Sequence, residues 1–440
     1  MSERGRRPVA GLEVRQRAAG RLARFMAGAP FEPIGADEID DPRDRALANR
    51  LVTTAIRRHG HLSLVLDQML DKGTPKDAGL FEATVRIGMV QLLFLPERGD
   101  HSAIHLAVEG VKADDKARHF ATLANAVLRN VQRRRGELVM PDSALLPDWL
   151  AGRWRKTYGH IALPGMIAAL IEGPALDLTV TAPGVETVTN FGGERVLGDS
   201  FRVLRPARPV AELPGFSGGL WWAQDAAAAI PARLLRVEPL HAVADLCAAP
   251  GGKTAQLALA GGTVTAIDSD PGRLALLADN MARLGLAGRV GVVVGDAASV
   301  GETGQYDRVL LDAPCTGTGI FRRHPEVIWH RTPADIEDRV KLQARLLDNA
   351  ARLTARGGVL VYCVCSLEPE EGEAQTEAFL ARHPDFVPVP VERAELEGWV
   401  APITALGHLR TLPGMRVPGK AGGTLDGFFA ARFLRLAREL

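Results

Sequence analysis

The apolar positions of the first 138 residues recur with the period of a helix. In the stretch FATLANAVLRNVQRRR, Phe120, Val127 and Val131 belong to one apolar stripe. The stretch LFEATVRIGMVQLLFL is apolar on nearly every side, as in a central bundle helix, and Pro96 ends it. The pattern predicts an all-α domain over residues 1–138.

Residues 139–214 follow a different pattern. Pro141, Pro147 and Pro164 separate helical pieces such as DWLAGRWRKTYG. The short β-like runs LDLTVTA and FRVLR then alternate with glycine and proline turns. We therefore expect a helical linker and a small α/β module.

Residues 215–440 alternate strand patterns with helix patterns. The strand candidates are AVADLC, TVTAID, RVGVVVG, YDRVLLD, GVLVYCV and DGFFAARF. Helical stretches such as PGRLALLADNMARLG lie between them, which predicts βαβ units and an α/β doubly wound, Rossmann-like parallel sheet. Ligands of such sheets bind at the carboxyl ends of the strands.

Composition narrows the class of protein. The 440 residues are 46% hydrophobic and 5% aromatic, which is typical of a globular protein with a sizeable core. No apolar run reaches the ~18–20 residues that a membrane span needs, and the first twenty residues contain no apolar signal core. We expect a cytoplasmic protein without a membrane partner.

Charge is unevenly distributed. The first 136 residues carry 23 Lys and Arg against 17 Asp and Glu, whereas the whole chain has a net charge of +1. Arg129, Arg133 and Arg134 lie off the apolar stripe and face water or RNA. The excess indicates a nucleic-acid partner, although a solvated helical face would carry the same charges.

The glycine turn DLCAAPGGKT raises the question of which ligand it holds. A phosphate loop of the Walker type needs glycine where Cys247 stands, and the turn has no G-x-G-x-x-G. What remains is a helix N-terminus whose free backbone N–H groups can receive a carboxylate. A glycine turn without any ligand is the alternative.

Three carboxylates at strand ends favour a ligand. Asp268, Asp296 and Asp312 follow or end the second, third and fourth strands. They could accept hydrogen bonds from a ribose diol and an adenine amine. A single aspartate there is usually a helix N-cap, but three in order indicate a pocket for a nucleoside that carries an amino acid, such as S-adenosylmethionine.

The four cysteines are Cys247, Cys315, Cys363 and Cys365. None forms a C-x-x-C pair, so we expect neither disulfides nor a metal site. Cys363 is interpreted as a buried apolar residue, whereas Cys315 and Cys365 lie at the ligand edge. A thiolate that adds to carbon 6 of a pyrimidine makes carbon 5 nucleophilic enough to accept a methyl group.

These residues carry a resemblance. The stretches LWWAQDAAA, DLCAAPGGKT, AIDSDPGR, VVGDA, DAPCTGTGIFRRHPE, YCVCSLEPEE and DGFF together resemble the NOL1/NOP2/Sun family of RNA cytosine-C5 methyltransferases. Within it, RDRALANRLV and ANAVLRNVQRR are similar to the bacterial Sun/Fmu type with an N-terminal NusB-like RNA-binding domain. The resemblance implies that residues 215–440 form an S-adenosylmethionine-dependent catalytic domain.

The resemblance also assigns cofactor-binding residues. Asp268 would hold the ribose, Asp296 the adenine, and Asp312 would lie between the methyl group and the base. Lys253 would neutralise a carboxylate. The residues implied at the methionine end are Cys247, Ala248, Ala249, Pro250, Gly251, Gly252 and Lys253.

The catalytic roles likewise follow from the resemblance. It makes Cys365 the nucleophile and Cys315 the thiol that promotes product release; the residues alone do not choose between them. This sequence departs from the family pattern at Val364, usually threonine, at Gly372, usually asparagine, and at Thr316, often serine.

The resemblance implies 16S rRNA as the substrate; we expect no DNA partner and a monomer. A tRNA cytosine-C5 methyltransferase on the same scaffold is one alternative. A catalytically silent rRNA-binding assembly factor is another, although the presence of both Cys315 and Cys365 argues against it.

Overall fold

The structure is a computed structural model that describes residues 10–206, 208–420 and 422–437. Part of the opening stretch behind the cytoplasmic prediction, residues 1–9, lies outside them. The chain forms two compact units, Met1–Lys156 with Ile328–His330, and Thr157–Val327 with Arg331–Leu440. Within the described residues, no helix is long and apolar enough to cross a membrane.

The first unit is helical, as predicted. Its helix α4 is buried on almost every side, which confirms the central bundle helix, while α6 buries Val127, Leu128 and Val131 along one stripe. Arg129 and Arg133 are exposed off that stripe. The helices are α1 Leu12–Met26, α2 Pro42–Arg57, α3 His59–Met69, α4 Phe81–Phe94, α5 Asp100–Ala113 and α6 Ala121–Arg133.

Helix α7, Asp148–Glu172, is interrupted at Gly159, whose backbone is not helical (φ 79°, ψ 174°). Pro164 lies five residues after this break, inside the second helical segment, so the interruption is at Gly159 and not at the proline. A small antiparallel sheet follows in the order β2-β3-β1-β4. Its elements are β1 Leu176–Val180, α8 Val185–Asn190, β2 Glu194–Leu197, β3 Ser200–Val203 and β4 Trp221–Ala223.

The fourth strand of the small sheet lies beyond residue 214, where we expected this module to end. The domain boundaries at 138 and 214 stay predictions. Short helix α9, Ile230–Leu234, leads from this sheet into the large one.

The large sheet contains every strand predicted for the catalytic domain. Its order is β10-β12-β9-β8-β5-β6-β7, and β11 pairs with β12. Its strands are β5 Ala242–Leu246, β6 Thr263–Asp268, β7 Val290–Val294, β8 Tyr306–Asp312, β9 Thr354–Val364, β10 Phe386–Pro388, β11 Leu409–Thr411 and β12 Phe428–Arg435.

One expectation about this sheet needs correction. Strands β5 to β9 are parallel, but β12 runs antiparallel to β9, with Phe429 opposite Val364. After the crossover through a helix to β10, the chain turns back to β12 without another crossover helix, and such a return gives an antiparallel pair. The sheet is therefore mixed rather than wholly parallel.

Both faces of the large sheet are buried at its central strands, whereas the edge strand β7 is largely exposed. Val243 of β5 belongs to one hydrophobic cluster, and its neighbour Ala244 belongs to another, because successive side chains of a strand point to opposite faces. The helices packed around the sheet are α10 Gly252–Leu259, α11 Pro271–Arg283, α13 Pro333–Leu353 and α14 Glu373–Arg382. Short helix α12, Val327–His330, lies between α11 and α13 in the sequence.

Candidate active site

The strand register brings the predicted site residues to one edge of the large sheet. Leu246, at the end of β5, lies beside Ile267 of β6 and Leu311 of β8. Asp312, the last residue of β8, lies beside Cys363 of β9. Parallel strands end together, so the sheet collects residues that are far apart in sequence.

The glycine turn joins β5 to α10 and needs glycine for two reasons. Gly251 has a φ of 101°, which L side chains rarely adopt. A Cβ atom there would also lie 2.8 Å from Cγ of Leu277 in α11. The turn can therefore present the first N–H groups of α10 to a ligand, as the sequence suggested.

One cavity at this edge, of about 140 Å³, is lined by Cys247, Asp268 and Asp296 together. Asp268 is 3% exposed, and its carboxylate accepts from the N–H groups of Ala249 at 3.2 Å and Asp270 at 3.1 Å. Burial raises the pKa of Cys247 to about 12, so its thiol stays protonated.

Asp296 is held less tightly than Asp268. Its carboxyl group is 58% exposed and accepts from the N–H of Ala298 at 2.9 Å, while Arg345 of α13 lies 3.8 Å away. Apolar side chains of Pro314, Leu342 and Ala297 complete the cavity. A flat apolar group with a polar edge, such as adenine, fits this lining.

A second cavity, of about 230 Å³, is lined by most of the glycine turn, from Ala248 to Lys253, together with Asp312 and Cys365. Nζ of Lys253 lies 2.7 Å from Oδ2 of Asp312. Lys253 also lies over the ring of Phe428. The carboxylate of Asp312 is thus paired with a cation in the same cavity that Cys365 lines.

Asp245 is a residue that the sequence reasoning did not select. Oδ2 accepts a hydrogen bond from the Thr254 hydroxyl at 2.6 Å, whereas the buried Oδ1 has no donor among the described residues. Burial raises the pKa of this carboxyl group to about 7. Its place in the second cavity suits the amino group of S-adenosylmethionine, and its position in the quoted turn was the available signal.

The two thiols predicted to be catalytic lie side by side. Sγ of Cys315 is 3.4 Å from Sγ of Cys365, and Cys365 is the one that lines the second cavity. The hydrogen bond to Cys365, with burial, raises the pKa of Cys315. Cys363 is buried, as expected, and its thiol donates to Asp312 at 3.4 Å.

A buried carboxylate holds both thiol-bearing loops. Glu371 accepts from the N–H of Thr316 at 2.9 Å and from the Thr316 hydroxyl, next to Cys315. It also accepts from the hydroxyl of Ser366, next to Cys365, and from the amide of Gln343 at 2.9 Å. Sequence reasoning missed this role because the partners are up to 55 residues away.

The departures from the family pattern have local explanations at two positions. A Cβ atom at Gly372 would lie 2.5 Å from Nη2 of Arg410 and 3.0 Å from the ring of Phe429, so a larger side chain does not fit. Thr316 keeps the hydroxyl that a serine would offer to Glu371. Val364 is fully buried in β9.

A metal site does not form among residues 10–206, 208–420 and 422–437, where no group of three His, Cys, Asp or Glu side chains could hold an ion. Positive charge near the site comes from Lys253 and from the two arginines beside Asp426, Arg322 and Arg323.

Two family models match the chain. Residues 232–434 match 16S rRNA methyltransferase RsmB/F, and residues 16–133 match the NusB family. The first match contains the whole site described above, and the second coincides with the helices of the first unit.

Relatives match over most of the length of the chain. A ribosomal RNA small subunit methyltransferase B of Xylella fastidiosa is 35% identical over 90% of this chain and 93% of its own. A probable ribosomal RNA small subunit methyltransferase B of Synechocystis is 32% identical over 84% of this chain and 88% of its own. The crystal structure of PH0851 shares the fold, with a TM-score of 0.76, 22% identity and coverage of 97% and 99%.

Proposed function

Since the chain belongs to the ribosomal RNA small subunit methyltransferase B family, we propose that it methylates carbon 5 of a cytosine in 16S rRNA through a covalent adduct. Its cofactor is S-adenosylmethionine, which supplies an electrophilic methyl group. The observation that carries the proposal is the pair of thiols 3.4 Å apart at a cavity that also holds the Lys253–Asp312 pair.

The residues of the sheet edge divide between the parts of the cofactor. The glycine turn and Asp245 hold the carboxylate and amino groups of its methionine end. Asp268 accepts hydrogen bonds from the ribose diol, and Asp296 accepts from the adenine amine. Each assignment places a carboxylate opposite a donor or a backbone N–H opposite an acceptor, which is how buried polar groups avoid a desolvation penalty.

Cys365 is the nucleophile because it, and not Cys315, lines the cavity. Its thiolate forms a bond to carbon 6, and the electrons of the C5–C6 double bond move toward carbon 5, which then takes the methyl group while the bond between sulfur and that methyl group breaks and S-adenosylhomocysteine is left. Asp312, held by Lys253, lies where it can accept a hydrogen bond from the N4 amine of the base and, when protonated, donate one to N3. Splitting one difficult step into two easier ones is the advantage of covalent catalysis.

Cys315 acts in release. The methylated carbon 5 must lose its proton so that the C5–C6 double bond forms again and the Cys365 thiolate leaves carbon 6. Cys315 enters this step as a thiolate that has given its proton to solvent, takes the proton of carbon 5, and thereby becomes a thiol again; its raised pKa makes the thiolate a strong proton acceptor.

Separate replacement of the two cysteines by alanine tests the proposal. Each variant is incubated with in vitro transcribed 16S rRNA and S-adenosylmethionine and analysed on denaturing gels. Cys365→Ala should form no covalent species and no product, because the attacking thiol is gone. Cys315→Ala should attack and transfer the methyl group but release slowly, which leaves a nuclease-sensitive protein–RNA band.

Cys363→Ala is the matched control for loss of a thiol, since Cys363 is buried and does not line the cavity; loss of its hydrogen bond to Asp312 should lower the rate, but the covalent species should neither disappear nor accumulate. A band for Cys365→Ala alone would reverse the two roles. Normal turnover by Cys365→Ala would rule out the covalent mechanism.

A further inference from the structure

Arg323 is a second cation, after Lys253, that lines the cavity on which the Cys365 thiol lies. Its side chain is 37% exposed. Its Nε and Nη2 both bind Oδ2 of Asp426 at 2.6 Å. Nη1 has no hydrogen-bond acceptor among the described residues, so this nitrogen has donors to offer a ligand.

Buried ion pairs hold Arg323 in place. Its partner Asp426 is fully buried and also binds Nε of Arg322 at 3.0 Å through the other carboxylate oxygen. Arg322 in turn binds Asp225 at 2.7 Å. A guanidinium fixed by two of its nitrogens cannot swing freely, so its third nitrogen is preorganised for a partner.

The proposed chemistry creates a need for such a donor. When a thiolate adds to carbon 6 of cytosine, negative charge spreads through the ring to N3 and to the exocyclic oxygen O2. Lys253 is already engaged with Asp312, on the side of the cavity built from the glycine turn. Preorganised donors aimed at developing charge are among the largest contributions to catalysis.

We propose that Arg323 is a catalytic residue, whose Nη1 donates a hydrogen bond to O2 of the target cytosine and stabilises the charge formed by attack of Cys365. This rests on the proposed function. A backbone phosphate of the RNA offers similar oxygen acceptors, so the experiment must separate the base from the phosphate.

The test compares Arg323→Gln with wild type in single-turnover methylation of transcribed 16S rRNA at saturating RNA. We expect the rate to fall about 10²–10³-fold, as for loss of one preorganised donor. RNA affinity, its salt dependence and cofactor affinity should stay as in wild type. In a Cys315→Ala background, Arg323→Gln should also reduce the amount of trapped adduct. Arg323→Lys should recover part of the rate.

The matched control is Arg289→Gln. Arg289 is exposed and lies just before β7, at the amino ends of the strands and away from the pocket at their carboxyl ends. A normal saturating rate with a salt slope of RNA binding flattened by ~0.7–0.9 would assign Arg323 to a phosphate and overturn the proposal. An unchanged rate and slope in folded Arg323→Gln would also overturn it. An inactive wild-type enzyme would instead contradict the proposed function.

Discussion

The cofactor side and the thiol side of the pocket are built in different ways. The cofactor side comes from one strand–turn–helix unit and the next strand: Asp245, Gly251 and Asp268 lie within 24 residues of one another. The thiol side joins Cys315 and Cys365, which are 50 residues apart, and is braced from still more distant segments.

This difference shows how each half keeps its geometry. On the cofactor side, the backbone does the positioning, because a glycine turn and the register of β5 and β6 fix the ligand groups. On the thiol side, side chains do the positioning, through Glu371 and through the ion pairs around Asp426. Substitutions should therefore damage one half while sparing the other.

Among substitutions of residues that only position the site, the largest effect is expected from Glu371→Gln on the thiol side. The amide nitrogen that replaces Oε2 donates and does not accept, so the hydroxyls of Thr316 and Ser366 lose their shared acceptor and the two loops should shift relative to each other. Displacement of reacting groups by ~1 Å can cost about 10²-fold in rate. We expect such a loss in single-turnover methylation, with unchanged S-adenosylmethionine affinity by calorimetry.

Glu370→Gln is its control, because Glu370 is the exposed neighbour of Glu371. If Glu371→Gln weakened cofactor binding as much as it slowed methylation, the two sides would not be independent. Full activity in the variant would show that Glu371 does not position the thiols.

A smaller effect is expected from Asp268→Ala on the cofactor side. Hydrogen bonds to a charged group contribute ~1.5–3 kcal/mol, so loss of the ribose contacts should weaken cofactor affinity at least tenfold. The spacing of Cys315 and Cys365 should be unaffected, and covalent capture of RNA by Cys315→Ala at saturating cofactor should persist in the double variant. Calorimetry that shows wild-type affinity in folded Asp268→Ala would contradict the ribose assignment.

The smallest effect is expected from pH, which changes the protonation of Asp245 on the cofactor side. The folded-state pKa of Asp245, about 7, lies above the ordinary aspartate value of 3.8 because the carboxyl group is buried. The contribution of this carboxyl group to the free energy of unfolding is fully present below pH ~4 and is lost as the pH rises through about 7. In that window, the wild type should lose ~1.4 kcal/mol per pH unit relative to Asp245→Asn.

Urea denaturation of the two cofactor-free proteins at pH 5, 6 and 7.5 measures this difference. Thr254→Val is a useful companion, since it removes the hydroxyl that donates to Oδ2 and should raise the pKa of Asp245 further. Parallel pH profiles of wild type and Asp245→Asn would mean that the carboxyl group ionises normally in the folded protein.

Much of the fold could be predicted because its determinants are local. The apolar stripe through Val127 and Val131 predicts a helix that is buried on one face. The uniformly apolar α4 predicts a helix that is buried on every side. The five parallel strands were visible as short apolar runs between helices. The direction of β12 was not, because an apolar run such as GFFAARF fits a parallel or an antiparallel neighbour equally well.

For the candidate site, the sequence by itself determined which chemical groups stand at the ligand edge. Asp268, Asp312, Cys315 and Cys365 follow strand patterns, and parallel strands end together. The tertiary structure alone decided which thiol lines the cavity, and that Glu371 braces both thiol loops while Asp426 fixes Arg323. Those contacts join residues up to 103 positions apart, and no local pattern records the distance between side chains that only folding brings together.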